Sequence, residues 1–404
     1  MRITRVTTAV VEANYDWTFV RIETDTGLTG LGECFFAPGL TAMIRDLRNV
    51  LIGQDPRHVD RLVRKLQRAA SGAGSVSGIV YNAITGMEGA LLDLVGRACG
   101  VPIWQLLGGK FRDEVRIYAD CHAGVGLESV GPSLEHREPA WFQAVRAGLT
   151  EEHLHEPEAS ARRARQAVEN GFDALKFDLD LDVESQEGQL RALTTDEIQL
   201  MAARMAAIRA AVGPGVDVAL DCHWRYPLAD VIRIAAALEP YGIFWLEDPV
   251  PPFNPRSFLT LRESTRVPLC TGENLFTRHG FRELIETQAV HFLSPDLQKM
   301  GGLLEGRRVA DHAEMYDLLI APHCIAGPIG LLASCHLCCA ISNFAVLEFH
   351  GQDVPFWDEI LTGLPRPLIQ GGRVRVPDTP GLGAELNEPV ARGYGKPGEG
   401  WFTE

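Results

Sequence analysis

A chain of 404 residues with 46% hydrophobic content is too long for one small core and ordinary for a soluble globular protein, so two domains are expected. The net charge of −15 argues against nucleic acid or an anionic membrane as a partner. Nine cysteines without small-domain disulfide spacing favour a reducing compartment, and no apolar signal core or membrane-length run is present, so a cytoplasmic enzyme is expected.

Residues 1–40 read as β structure. Residues 18–24 alternate, Asp25-Thr26-Gly27 supplies a turn, and residues 27–33 give a second strand with a glycine-rich backbone. Two short loops, 14–17 and 34–40, flank these strands. Helices are expected at 40–51, 59–70 and 81–99. The last carries Ile84, Met87, Leu91, Leu94 and Val95 at helical spacing and is stopped by Gly100 and Pro102. Residues 1–112 thus form an α+β domain.

Between residues 113 and 360 the pattern becomes strand then helix. Apolar runs fall at 115–120, 174–177, 216–220, 243–246, 267–270, 290–293, 318–321 and 344–347, with helical stretches such as 228–238 and 307–314 between them. Eight such units are what a (β/α)8-type barrel requires. A doubly wound sheet is the rival architecture, but no Gly-x-Gly-x-x-Gly turn follows the first strand. Polar insertions at 128–157 and 179–195 follow the first two barrel strands, on the side where barrel active sites assemble, and are expected to rim the site; surface decoration is the alternative. Residues 361–404 are Pro/Gly-rich, with one strand-like piece at 373–376, and are expected to pack back on the N-terminal domain.

Three successive runs end in an acid: Asp221, Glu247 and Glu273, each 26 residues from the next. Three carboxylates at buried strand ends are costly unless a cation lies among them. A hard ion that keeps part of its water shell, Mg²⁺, suits this donor set. Glu247 is taken as the ligand because Asp248 would point the other way. The other metal-like cluster, Cys335, His336, Cys338 and Cys339, lies in an apolar run and reads as small buried core residues.

The remaining strand ends carry Lys176 and Asp178, then Asp296, His323 and Glu348. In a barrel these face one mouth. A metal there would bind a substrate carboxylate and offset the charge left when a neighbouring proton is removed. His323, oriented by Asp296 on the adjacent strand, is the expected base, against the alternative of a satisfied core histidine. His223 shares the face of Asp221. A second histidine permits proton abstraction followed by loss of hydroxide; a supporting role beside Asp221 is the alternative.

These residues resemble the enolase superfamily, mandelate racemase subgroup. The likeness covers Gly30-Leu31-Gly32-Glu33, Ala90-Leu91-Leu92-Asp93-Leu94, Gly100-Val101-Pro102, Leu106-Leu107-Gly108-Gly109, Trp245-Leu246-Glu247-Asp248-Pro249, Gly272-Glu273-Asn274, Pro295-Asp296 through Lys299-Met300-Gly301-Gly302, and Pro322-His323. It implies an N-terminal capping domain completed by the C-terminal segment. It implies metal ligands Asp221, Glu247 and Glu273, a His323–Asp296 base dyad, and Glu348 bonding the substrate carboxylate. Lys176 matches the first lysine of a racemase Lys-x-Lys pattern, and Asp178 replaces the second. His223 is similar to the third-strand general acid of acid-sugar dehydratases, as is the run from His323 to Ile329. The expected activity is therefore Mg²⁺-dependent dehydration of an aldonate, gluconate- or galactonate-like, to a 2-keto-3-deoxy acid. Lys176, Asp178, His223, Glu348 and Trp17 are expected to contact substrate, with the loops at 14–17 and 34–40 closing over the mouth. An epimerase or racemase on the same fold, and a metal-binding homologue without catalysis, are the rival readings. The family analogy adds a homo-oligomer.

Overall fold

The computed structural model describes residues 1–74, 76–121, 139–146, 156–181 and 191–403. The N-terminal strands β1 (Ile3–Glu12), β2 (Asp16–Thr24) and β3 (Thr29–Cys34) form an antiparallel sheet in that order. Helices α1 (Leu40–Leu47), α2 (Val59–Ala69), α3 (Gly78–Cys99) and α4 (Ile103–Leu106) follow. Gly30 and Gly32 let β3 lie directly on α3, since a Cβ at either would meet the backbone of Gly86, Gly89 or Ala90. α3 is buried on nearly every side because it is held between this sheet and the rest of the molecule.

The second part alternates β4 (Glu114–Asp120), α5 (Ala140–Arg146), α6 (Pro157–Glu169), β5 (Ala174–Asp178), α7 (Thr195–Val212), β6 (Asp217–Asp221), α8 (Leu228–Leu238), β7 (Leu246–Glu247) and α9 (Pro255–Ser264). It continues with β8 (Leu269–Thr271), α10 (Thr277–Glu286), β9 (Phe292–Leu293), α11 (Leu303–Glu314), β10 (Leu319–Ile320), α12 (Pro328–Ala340) and β11 (Leu347–Phe349). The strands pair in parallel in the order β10-β9-β8-β7-β6-β5-β4-β11. Ile320 bridges Phe344 on the run leading into β11, with bonds of 2.8 Å from Ile320 N to Asn343 O and from Ala345 N to Ile320 O. That contact closes the sheet into the expected barrel. The eighth unit differs from expectation: after β11 comes a short 3-10 turn at Trp357–Glu359 in place of a helix.

The C-terminal segment holds β12 (Leu361–Thr362), β13 (Arg373–Arg375), β14 (Glu385–Leu386) and α13 (Glu388–Gly393). The strand-like piece expected at 373–376 is β13, and it pairs antiparallel with β4 of the barrel. Later parts of the segment do reach the N-terminal domain. Leu382 N donates to Asp93 at 2.7 Å, and bridges join Val11 to Gly395 and Thr8 to Thr403. All nine cysteines are free, and Cys335, Cys338 and Cys339 are buried in α12. Among the described residues no helix is long and apolar enough to cross a membrane.

One interior layer explains the mouth. Tyr118, Ala174, Ala219, Trp245, Cys270, Phe292, Ala321 and Val346 form a separate buried cluster, one residue from each barrel strand or the run beside it. Side chains alternate along a strand, so the next inward position lies two residues on. Those positions are Asp120, Lys176, Asp221, Glu247, Gly272, Ser294, His323 and Glu348. Polar residues thus crown an apolar plug. At Gly272 the backbone turns at φ 148°, and the acid is offered one residue later by Glu273.

Candidate active site at the barrel mouth

Lys176 stands at the centre. Its ammonium lies 2.6 Å from Glu348 Oε1, 3.2 Å from Asp221 Oδ2 and 3.5 Å from Glu247 Oε1. All four side chains are buried. The Trp245 indole, one layer below, donates to Glu247 Oε2 at 2.7 Å and fixes that carboxylate. Burial pushes the Asp221 and Glu247 carboxyls up, against the pull of Lys176. Burial acts the same way on Glu348, but Lys176 and His323 outweigh it and hold that carboxyl low.

His323 faces the same floor. Its Nδ1 lies 2.7 Å from Asp296 Oδ2, and its Nε2 is 3.2 Å from Glu273 Oε2 and 3.7 Å from Glu348 Oε2. An Nδ1–H donated to Asp296 leaves Nε2 turned to the mouth. Burial disfavours charge on this imidazole, but Glu348, Glu273 and Asp296 prevail and push it up to about 10. Asn274 donates to Glu273 at 2.6 Å and accepts from Lys299 at 2.7 Å, so a lysine from the β9 loop braces this acid.

His223 is built on the same plan. Its Nδ1 lies 3.0 Å from Asp180 Oδ2, which also forms an ion pair with Arg225 Nε at 3.0 Å. Its Nε2 is 3.7 Å from Asp221 Oδ2, and its side chain is 37% exposed, against 8% for His323. The chain turns sharply here: His223 and Trp224 have φ of 42° and 48°, and neighbouring Asp248 has 36°. Such values in non-glycine residues are costly and mark places where geometry is held for a purpose. Asp180 escapes a residue-type reading. The parallel register of Asp178 with Asp221 brings it beside His223.

Among the described residues, two donor sets at the mouth could hold a metal. Asp221, Glu247 and Glu273 are the expected one. Asp221 Oδ2 is buried and accepts no hydrogen bond, and the single Lys176 charge is set against three acids, Asp221, Glu247 and Glu348. All-carboxylate donors of this kind fit a hard divalent cation. The second set is Asp178, Asp180 and His223, whose ligand atoms lie within 4.8 Å of one another. It commits one of the two histidines and shares Asp180 with Arg225. Asp248, excluded as a ligand above, accepts from Thr271 and is pushed up to about 8 by burial, Glu273 and Asp221.

In the N-terminal domain, Trp17 does not face the mouth. That ring is 1% exposed, donates to Asn14 at 3.0 Å and packs against Phe356 and Trp357, so it offers substrate no surface. Tyr15, two residues earlier, lies near acids of the mouth. Its ring stacks on Phe36 at 4.7 Å and tilts against His350 at 5.6 Å. Burial and then the charges of Asp120, Glu273, Asp178 and Glu348 keep its phenol protonated. His350, missed in the sequence, sits between Asn14 at 3.1 Å and Asp120 at 3.3 Å. From the loop at 34–40, Phe35 lies 6.2 Å from the His323 ring and 4.5 Å under Lys299 Nζ. The two barrel insertions expected at the rim fall largely outside the described residues.

The strands thus close into a barrel with an acid-crowned mouth, beside an α+β N-terminal domain. The comparisons agree. Residues 159–390 match the family described as enolase C-terminal domain-like, and residues 3–108 match the mandelate racemase/muconate lactonizing enzyme N-terminal domain. The chain belongs to the enolase superfamily, in its mandelate racemase subgroup. Similar curated proteins include a D-xylonate dehydratase of Haloferax volcanii, 38% identical over 100% of this chain and 91% of that one. A D-galactonate dehydratase of Ralstonia nicotianae is 32% identical, covering 96% of this chain and 93% of its own. The crystal structure of a mandelate racemase/muconate lactonizing enzyme-like protein from Rubrobacter xylanophilus has a TM-score of 0.89 at 41% identity, covering 100% and 99% of the two chains.

Proposed function

We propose that this protein is a hydro-lyase that dehydrates an aldonate to a 2-keto-3-deoxy acid. The observation that carries the reading is the pair of histidine–aspartate dyads at one mouth, His323–Asp296 and His223–Asp180, each leaving an Nε2 to handle a proton. One group can take the proton at C2 while the other gives a proton to the departing C3 hydroxyl. A racemase needs a second base opposite the first on the same carbon. Asp178 stands where a second lysine of β5 would be. The dehydratase names of the similar proteins favour the same class, with D-xylonate and D-galactonate as the first substrates to try.

In this reading Asp221, Glu247 and Glu273 hold Mg²⁺. Bound there, the ion would fix the C1 carboxylate and offset charge that develops as C2 loses its proton. His323 Nε2 removes the C2 proton. Asp296, at 2.7 Å from Nδ1, holds the ring so that Nε2 faces the mouth. The Lys176 ammonium offsets charge on the enediolate oxygens, and Glu348, tied to Lys176 and to Cys324 N at 2.7 Å, helps place the carboxylate end. His223 Nε2 then donates its proton to the C3 oxygen, the C–O bond breaks, and water leaves. The enol product becomes the 2-keto acid by tautomerisation. Tyr15 and Phe35 close the lid side and set how long a polyol chain fits.

The test is a panel of aldonates and aldarates incubated with enzyme and Mg²⁺, scored for 2-keto-3-deoxy product. No product from any member refutes the reading. Deuterium entering C2 without loss of water would favour the epimerase instead. His223→Asn should abolish dehydration and spare C2 exchange.

A further inference from the structure

The motif Gly30-Leu31-Gly32-Glu33 is not used by the chemistry above, yet Glu33 is 5% exposed and reaches out of its own domain. Its Oε1 accepts from Gly327 N at 2.5 Å and its Oε2 from Gly330 N at 2.7 Å. Those N–H groups form the start of α12, the helix after β10. Glu88 on α3 repeats the arrangement. It is 1% exposed, and its oxygens accept from Leu303 N at 3.2 Å and Leu304 N at 2.9 Å, at the start of α11, the helix after β9.

These two barrel helices follow the strands that bear Asp296 and His323. Neither has a cap of its own. The N-cap positions are Gly302 and Gly327, without a side-chain cap bond. The space a side chain would need is taken by the incoming acids: a Cβ on Gly302 would meet the Glu88 carboxyl, and one on Gly327 would lie 3.0 Å from Glu33 Oε1 and 2.7 Å from Trp17. A helix start has unsatisfied N–H groups and favours a negative charge, so each glutamate caps a helix of the other domain. Burial works against that charge and pushes Glu33 up to about 8 and Glu88 up to about 7, while the donated N–H groups act the other way.

The same domain grips the connecting loops. Phe35 N donates to Gln298 O at 2.9 Å, Thr85 Oγ donates to Lys299 O at 3.3 Å, and Gly301 N donates to Thr85 Oγ at 3.1 Å. The chain from Asp296 to Leu304 is thus held at five residues, and the chain from His323 to Gly330 at two. We infer that Glu33 and Glu88 are positioning residues, which cap α12 and α11 from across the domain boundary and thereby set the register of His323 against Asp296. Docking of the N-terminal domain then does more than cover the mouth: it completes the proton-abstracting dyad.

This inference rests on the proposed role of His323, and the experiment keeps the two apart. The Mg²⁺-loaded full-length enzyme is assayed for C2 deuterium exchange and for 2-keto product with the aldonate that the panel identifies. If the wild type does neither, the functional proposal fails. With an active wild type, Glu33→Gln and Glu88→Gln keep side-chain volume and remove one acceptor each. Both should lower kcat for exchange and for elimination in parallel, roughly ten- to a hundredfold, with KM within twofold, because the dyad is misplaced while the substrate-binding groups are not. The proton NMR signal of the bond between His323 and Asp296 should shift or broaden in both variants. Arg97→Met is the control. It removes the bonds that Arg97 makes to Asp93 and Ala384, away from the dyad, and should cost stability but leave kcat and the signal unchanged. If the glutamate variants lose stability but keep kcat and the signal, or if Arg97→Met lowers kcat as they do, the inference is overturned. Should Glu33→Gln fail to fold, Glu88→Gln carries the same test.

Discussion

Replacing Lys176 by methionine asks whether the floor of the mouth is built for more positive charge than the lysine brings. The side chain is 3% exposed and lies 2.6, 3.2 and 3.5 Å from oxygens of Glu348, Asp221 and Glu247. Methionine fills similar volume and leaves those acids facing one another without a counter-charge. Removing one partner of a buried ion pair costs roughly 3–5 kcal/mol. Urea unfolding in EDTA should therefore show a loss of about that size. A cation that binds only the folded form contributes about 2.7 kcal/mol at a hundred times its Kd. With the competing ammonium gone, the carboxylates should bind Mg²⁺ more tightly, so Mg²⁺ should stabilise the variant more than it stabilises the wild type. The assay is a pair of urea titrations for each protein, with EDTA and with Mg²⁺. Equal Mg²⁺ gains in both proteins, or none, would refute the assignment of Asp221, Glu247 and Glu273 as ligands. Activity is expected to be lost in either case, since the variant has nothing to offset enediolate charge.

Three further outcomes follow from single contacts. Asp180→Ala removes the acceptor of His223 Nδ1, and product formation should fall tenfold or more while C2 exchange persists; parallel loss of both would show that Asp180 does not act through His223. Tyr15→Phe deletes a protonated phenol held over the mouth, and the loss of about one hydrogen bond, roughly 1 kcal/mol, should raise KM about fivefold with kcat little changed. His336, fully buried with Nδ1 accepting from Trp104 N and Nε2 donating to Leu382 O, is pushed by burial from 6.5 down to about 4. Its neutral form is what folding favours, so stability is unaffected above pH 6.5 and is lost as the pH falls from 6.5 toward 4, where the unfolded chain takes the proton first. The gap amounts to roughly 2.5 kcal/mol by pH 4.5. His336→Gln should flatten that slope in denaturant titrations; an unchanged slope would mean that the acid sensitivity lies elsewhere.

The barrel was legible because parallel strands buried on both faces read as unbroken apolar runs. Asp221, Glu247 and His323 were legible because each ends such a run, two places past the interior layer of Ala219, Trp245 and Ala321. What escaped depends on distance along the chain. β13 is only Arg-Val-Arg, and nothing local says that it lies on β4, more than 250 residues earlier. Asp180 follows β5 by two residues, and only the register of β5 on β6 makes it a partner of His223. Trp17 was expected to contact substrate from the loop at 14–17, but its indole N–H finds Asn14 and its ring joins the packing of Phe356 and Trp357. A large ring with one polar handle is stabilised more by burial than by facing a polar mouth.

The two histidines are held in place by different means, and this bears on how the enzyme can be perturbed. Asp296 and His323 show no left-handed backbone, and the loops that bear them are fastened by acids and backbone groups of another domain. His223 is fastened locally, by a turn in which two successive non-glycine residues sit at φ 42° and 48°, with Trp224 N bonded to Asp248 O at 2.6 Å and His223 N to Asp221 Oδ1 at 3.0 Å. Strain of that kind costs on the order of 1–3 kcal/mol per residue and persists only where the surroundings enforce it. Asparagine accepts the left-handed region more readily than tryptophan does. Trp224 is part-buried and its ring lies 5.7 Å from that of Phe253, so replacement also removes packing. In Trp224→Asn the relief of strain is therefore set against that lost burial. With the turn relaxed, His223 need no longer hold its place over Asp221, and elimination should fall while C2 exchange does not. Loosening the N-terminal domain should do the reverse and slow both steps together. If Trp224→Asn slowed exchange as much as elimination, the two histidines would share one scaffold, and the separation of their roles would have to be abandoned.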